Sequence, residues 1–485
     1  MRRSICVLIV IIGLCCAAPV YAHHLKQAAT VSMPVTTSSA QARTLYEKGM
    51  QDYENLYLER CNDDWRAAVK TDPNFAVAWA WIAFNSSNPQ EVNSAREKAK
   101  ALASKVTPGE QLMVTWIVKV QEGDFIGGTS AMNDLLEMYP KDKHLLYLSG
   151  NWLMGENGEE QARRMMEKAL AIDKNYPGAL NDLAYLYARN REFAKAFADM
   201  DRYVALLPTE PNPQDSYGEL LRMAGNFEKS LQHYRAALQI DPDFVTSQVG
   251  LGDTYALMGN QEQARIEYDK AIRFAQNEAD RLSYGIQKAM TFVRDGKFAE
   301  ADRLLQEIAQ TAHAKEQDLQ EAQAYRQAAE YQSDDNAALK YLESAEESLG
   351  HRSTIPKGDK DEELSRILRN RTVRAAHAGN PLLANGSLKQ LEAMAAGSRN
   401  HIIQSSFNGA AGTLLMDQKK FNEAISFLEE DQENPFTMQL LVQAYYQTNQ
   451  SDKLHEIEAK LRGTNVATME QAVVVPAVRL QRPQI

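Results

Sequence analysis

Residues 249–272 read VGLGDTYALMGNQEQARIEYDKAI, and the fold turns on the order of small and large residues within them. Gly252, Tyr255, Gly259, Ala264, Tyr268 and Ala271 alternate small with large, as required where two helices pass closely and bulky side chains fill the gaps. The upstream stretch GELLRMAGNFEKSLQHYRAAL repeats this order at a shift of 34 residues. Gly218 stands for Gly252, Gly225 for Gly259, Ser230 for Ala264, Tyr234 for Tyr268 and Ala237 for Ala271. On this reading Gly252, Ala264 and Ala271 make the space, and Tyr255 and Tyr268 fill it.

The frame extends in both directions. Ala184, Ala196 and Tyr203 lie one step upstream; Gly150, Ala162 and Ala169 lie one further, and Ala83 with Ala95 and Gly49 with Ala68 continue it. Downstream, Ala289, Gly296 and Ala301 follow after a step of 37. About eight units therefore span residues 42–310. Pro73, Pro140, Pro208 and Pro242 recur at one place in the unit, and Pro108 and Pro177 lie slightly later. Each is expected to stop the second helix of its unit, because proline lacks the N–H and clashes with the preceding turn. With only 25 Gly and 16 Pro in 485 residues, the composition favours helix throughout.

Period and residue types together resemble the tetratricopeptide-repeat family, whose order of small residue, aromatic, glycine turn, alanine, aromatic and alanine is carried by Gly252, Tyr255, Gly259, Ala264, Tyr268 and Ala271, with Pro242 closing the preceding unit. The resemblance implies an all-α fold, a right-handed α-solenoid of antiparallel helix pairs in which the first helix of each unit lines a concave groove. It implies a protein or peptide partner, no catalysis and no cofactor, and repeats that touch only their neighbours. The groove positions carried over from it are Tyr46, Met50, Tyr53, Val77, Phe84, Met113, Ile117, Val120, His144, Tyr147, Asn151 and Met154, an apolar and aromatic stripe. Tyr185 continues it, and Asn212, Asp215, Glu219, Arg222 and Asp253 turn it acidic. The stripe has a competing reading, as packed core or as a surface covered by the N-terminal segment. The asparagine clamp by which some relatives grip a terminal carboxylate does not carry over, since Glu47, Trp81, Val114, Leu148 and Asp182 occupy its positions.

Outside the regular array the reading is coarser. Residues 311–463 read as degenerate helical repeats with a cap, interrupted by GHRSTIPKGDKDEE, in which Pro356 and Gly358 act as breakers and DKDEE (359–363) is a solvated charge run. Residues 464–485 form a tail of strand-like composition containing Pro476, expected to be a strap or disordered. Residues 1–22, MRRSICVLIVIIGLCCAAPVYA, read as a secretory signal cleaved after Ala22, followed by a polar linker over 23–41. Cleavage removes Cys6, Cys15 and Cys16, leaves Cys61 without a disulfide partner and takes the net charge from −11 to −13. The expected location is the periplasm or the exterior, with no membrane span in the mature chain. An acidic chain without a basic block is a poor nucleic-acid binder.

The sequence contains no phosphate-cradling GxxxxGK[ST], no GxSxG and no HExxH. His455 and Glu456 begin an HExxK stretch, read as a solvated helix face. The leading expectation is an exported, non-catalytic scaffold that binds a protein or peptide, as an envelope assembly factor. The alternatives are a small-molecule or glycan binder using the aromatic stripe, and a metal-dependent enzyme in which His23, exposed by cleavage, holds copper.

Overall fold

Short turns reverse the chain between helices, and among the described residues eight of the turns inside helix pairs hold a residue in left-handed conformation. Gly225, Gly259 and Gly296 take φ of 81°, 89° and 70° at the turn inside their pairs, a conformation that a Cβ penalises. Arg191, Lys419 and Asn449 take the same conformation without glycine. The structure, a computed structural model, describes residues 32–54, 57–86, 88–156, 158–350 and 355–480. The expected signal peptide, His23 and the first three cysteines lie outside them.

Eight helix pairs lie between Ala40 and Ala314. The first four are α1 (Ala40–Glu54) with α2 (Leu58–Thr71), α3 (Ala76–Asn85) with α4 (Pro89–Ala103), α5 (Pro108–Gln121) with α6 (Phe125–Met138), and α7 (Lys143–Gly155) with α8 (Glu159–Ile172). The next are α9 (Pro177–Arg189) with α10 (Phe193–Leu206), α11 (Pro211–Met223) with α12 (Phe227–Ile240), α13 (Val245–Leu257) with α14 (Gln261–Phe274), and α15 (Glu278–Arg294) with α16 (Phe298–Ala314). Four more follow: α17 (Asp318–Glu330) with α18 (Asp335–Gly350), α19 (Lys357–His377) with α20 (Pro381–Gly397), α21 (His401–Asp417) with α22 (Phe421–Leu428), and α23 (Pro435–Gln447) with α24 (Ser451–Arg462). A single helix, α25 (Met469–Leu480), follows them. The expected all-α solenoid of antiparallel pairs forms, and the described residues contain no strand.

The small residues act as the spacing required. A Cβ on Gly252 would stand 2.8 Å from the ring of Tyr268, which is buried, so the two helices of this pair meet where there is no side chain. Tyr255 is only half-buried, and its hydroxyl accepts a bond from Arg235 Nη2 at 2.6 Å, so it is less a filler than Tyr268. Pro73, Pro140, Pro208 and Pro242 each follow the residue that caps a second helix. Pro108 and Pro177 differ from expectation: they open the next first helix at its first turn, where the missing N–H had no partner to lose.

The backbones of most successive first helices approach one another across pairs more closely than those of successive second helices, so the first helices line the inner, tighter side of the curve. The array does not keep to nearest neighbours. Glu54, at the end of α1, accepts from Tyr176 Oη at 2.6 Å and contacts His144 Nδ1 at 2.9 Å, and Tyr57 packs edge-on against Phe244 at 5.6 Å. Further on, α5 touches α19, Asn465 Nδ2 donates to the carbonyl of Met223 at 3.3 Å, and Arg294 bonds Gln471. The solenoid curves tightly enough for separated pairs to meet.

Three local expectations change. The tail segment is helical: α25 buries Val474, Val475 and Val478 and packs against α15, α17, α23 and α24, with Pro476 inside it. Pro356 is the residue that caps α19, and Gly358 lies in its first turn rather than breaking it. DKDEE is not wholly solvated, because Glu363 is buried against Arg326.

Candidate partner-binding groove

The first half of the inner surface is filled by its own rings. Trp65 and Trp81 stack at 5.5 Å, Trp81 meets Phe84 at 5.5 Å, Phe84 stacks on Trp116 at 5.9 Å, and Trp116 meets Trp152 at 6.2 Å. Tyr53 lies against both Trp65 and Trp81, Tyr46 lies 5.1 Å from Phe75, and Tyr147 lies 5.5 Å from Tyr176. Tyr46, Val77, Met113, Ile117 and Tyr147 are buried in one hydrophobic cluster, with Met50, Tyr53, Phe84, Val120 and Met154 packed onto it. The aromatic stripe therefore lies mainly in the core. Burial also raises the hydroxyl pKa of Tyr46, Tyr53 and Tyr147.

The N-terminal segment covers the edge of the same pairs. Its backbone and hydroxyls are held by three carboxylates, Asp72, Glu110 and Asp142. Thr37 Oγ1 donates to Asp72 at 2.6 Å, Thr36 donates from its backbone to Glu110 at 2.5 Å and from its hydroxyl at 2.6 Å, and the Met33 N–H donates to Asp142 at 2.7 Å.

The polar groove residues form a ladder between successive first helices. Asn151 donates to Asp182 at 2.8 Å, and Tyr185 Oη donates to Glu219 at 2.8 Å. Arg222, buried, bonds Glu219 at 2.7 Å and also Asp253, which accepts from Tyr268 Oη at 2.5 Å. Ser247 Oγ donates to Asp215 at 2.6 Å, and burial pushes the Asp215 carboxyl up to about 7. The buried Asn212 donates to Tyr203 Oη at 2.8 Å. Tyr185 and Glu219 also line a cavity of about 460 Å³ shared with Gln432, Pro435 and Lys460 of the last pairs. The named residues thus divide between a dry aromatic core and an internal polar ladder.

An open inner surface lies in the second half. The first helices α15, α17, α19, α21 and α23, together with the start of α25, surround a cavity of about 430 Å³. Arg326 donates to Glu363 at 2.6 Å and to Glu330 Oε1 at 2.5 Å, while Arg369 donates to Asp431 at 2.6 Å and to Thr437 at 2.8 Å. His401 Nε2 faces Glu433 at 3.4 Å, with the Glu433 side chain 57 % exposed at the mouth. Burial, reinforced by the charge of Glu470, pushes the Glu330 carboxyl up to about 8. A second cavity of about 410 Å³ lies where α5 and α7 meet α19 to α21, between Trp152, Glu156 and Asp359. Burial pushes Glu156 up to about 7 and Asp359 up to about 6.

Pairwise small-to-large packing and the 34-residue step meet their counterpart in known proteins here. The description "TPR repeat" matches residues 218–259, and "Tetratricopeptide repeat" matches residues 245–278. Residues 218–278 are tetratricopeptide repeats. A TPR repeat-containing protein YpiA of Bacillus subtilis is 25% identical over 152 residues, 31% of this chain and 36% of that one. The peroxisomal targeting signal receptor of Kluyveromyces lactis is 24% identical over 204 residues, 41% of this chain and 36% of the receptor. The matched part spans about a third of the length of these relatives. A solved tetratricopeptide-repeat protein from Parabacteroides merdae superposes with a TM-score of 0.36 at 14% identity, covering 56% of this chain and 93% of that one.

The sequence reading of the array missed Arg326, Glu330, Glu363, Arg369, Asp431, Glu433 and Glu470 as parts of one inner surface. His401 faces Glu433 at the mouth. A signal was present in the charges at one-turn spacing on α19, Glu363, Arg366 and Arg369. A helix whose charges lie on the side that should be buried points to an internal polar surface.

Proposed function

We propose that the chain is an exported, non-catalytic scaffold of the cell envelope that holds a protein or peptide partner in the groove of its second half. Tetratricopeptide-repeat proteins bind protein partners, and this fold offers a curved inner surface for one. The observation that carries the choice of half is the contrast along that surface. Rings fill the groove from α1 to α7, while five first helices leave an unfilled polar cavity from α15 to α23. Such a cavity suits an extended segment whose backbone and polar side chains need partners. No described helix is long and apolar enough to cross a membrane.

Photo-cross-linking in the native host tests the docking place. A photoreactive residue at Gln323 or Ile402, both lining the cavity, is expected to capture a discrete partner. One at Leu382, exposed on α20, is the control and is expected to capture none. Adducts from Met50 or Phe84 alone would return the site to the first half. Export is tested by N-terminal sequencing of the released product, which should begin HHLKQ; Met1 retained in a membrane fraction would overturn it.

A further inference from the structure

The charges around the cavity between α15 and α25 are not all answered from within the chain. Arg326 is engaged by Glu363 and by Oε1 of Glu330, Arg366 faces Glu363 at 3.6 Å, and Arg369 is held by Asp431 and Thr437. Glu330 is only 6 % exposed, yet its Oε2 has no hydrogen-bond partner. Glu470, at the start of α25, lines the same cavity and has no ion-pair partner among the described residues. A buried carboxylate oxygen left unanswered is costly, and a second carboxylate beside it raises the cost. The upward shift of Glu330 has these two causes, burial first and the charge of Glu470 second.

The missing group is a donor carrying positive charge. A guanidinium fork binds best across both oxygens of one carboxylate, and Oε1 of Glu330 is already taken by Arg326. An ammonium is a compact charge with three donors and fits a single free oxygen plus a second carboxylate. Ile286, Met290, Ile402 and Met469 on the walls give its alkyl stem apolar surface to lie on. We infer that the cavity binds an alkylammonium group, such as the lysine side chain of a partner segment, with Glu330 and Glu470 as its carboxylate partners.

The inference rests on the same cavity as the proposed function but is tested apart from it. The full mature chain is titrated calorimetrically with a pentapeptide blocked at both ends that carries a central lysine, and with its norleucine twin. Pentylamine and pentanol form a second pair of probes. Saturable binding of the ammonium member of each pair, at least tenfold tighter than its neutral twin, is the expected result. E330Q and E470Q should each weaken it at least tenfold. E330Q also disturbs Arg326, so E470Q with an unchanged thermal midpoint is the deciding variant. A lysine peptide that binds tighter than pentylamine names a partner segment as the source, and equal affinities name a free amine; both support the ammonium site. No saturable ammonium binding, equal binding of the neutral twins, or undiminished affinity in E470Q overturns it. Failed cross-linking at Gln323 alongside intact ammonium binding would remove the scaffold reading alone.

Discussion

Gly252 and Gly259 stand seven residues apart and are glycine for different reasons. At Gly252 the Tyr268 ring leaves no room for a Cβ, whereas at Gly259 the space is open and the constraint is a φ of 89°. Gly252→Ala is therefore expected to cost about 1–3 kcal/mol through overpacking. Gly259→Ala should cost about 1–2 kcal/mol through left-handed backbone strain. Urea denaturation of the two variants measures both, and a neutral Gly252→Ala would show that Tyr268 moves aside freely. Asp215 carries a different kind of prediction. Its folded pKa, raised to about 7 by burial, lies above its unfolded value near 4, so the native state holds the proton more tightly. Its contribution is then fully present below about pH 4 and is lost as pH rises through 7. Between pH 5.5 and pH 8 the loss should be on the order of 1–3 kcal/mol. Thermal midpoints should fall over that window, and the fall should shrink in Asp215→Asn, whose amide cannot ionise. An unchanged slope in that variant would place the buried proton elsewhere, with Glu330 as the next group to replace.

At the scale of elements, the N-terminal segment and α25 were the least legible parts of the sequence. The valines of α25 favour a strand by propensity, and Pro476 argues against a helix interior, yet burial of Val474, Val475 and Val478 outweighs both. The segment before α1 reads as polar linker because nothing in its own composition reveals the carboxylates that wait for it on other pairs. Glu110→Gln together with Asp142→Asn should therefore speed proteolytic cleavage within residues 32–39 while leaving the helical circular dichroism nearly unchanged. Resistance equal to the parent's would mean that the segment is held by something other than Glu110 and Asp142. The helix pairs were legible because the 34-residue step and the small residues recur together. The groove was legible only in part. The frame placed Tyr46, Met113 and Tyr147 on first helices, but a period does not encode curvature, and curvature decides whether an inward side chain meets solvent or another ring. Beyond α16 the helices lengthen, with 21 residues in α19 against 13 in α13, so the frame loses register and Glu330 and Arg369 fall out of any extrapolated groove.

Over the whole molecule, contacts between distant pairs change how the array should unfold. A linear solenoid frays from its ends because each unit answers only to its neighbours. Here α25 ties the last pairs to α15 and α17, and Asn465 reaches the carbonyl of Met223. All five tryptophans lie between residues 65 and 152, so their fluorescence reports the first half alone. The intact chain is expected to show one denaturation midpoint by fluorescence and by circular dichroism. Val475→Asp puts a charge at a fully buried position of α25 and should separate the second half from the first, giving a lower circular-dichroism midpoint and faster hydrogen exchange in α15, α23 and α24. Coincident midpoints in that variant would show that α25 does not hold the array together. The same tie bears on how the protein answers a pull. An open array stretches like a spring, because each pair tilts a little against the next and the small tilts add along its length. A coil fastened to itself cannot lengthen in that way. Tension applied at its ends loads the Arg294–Gln471 and Asn465–Met223 contacts first, and the molecule stays stiff until they part.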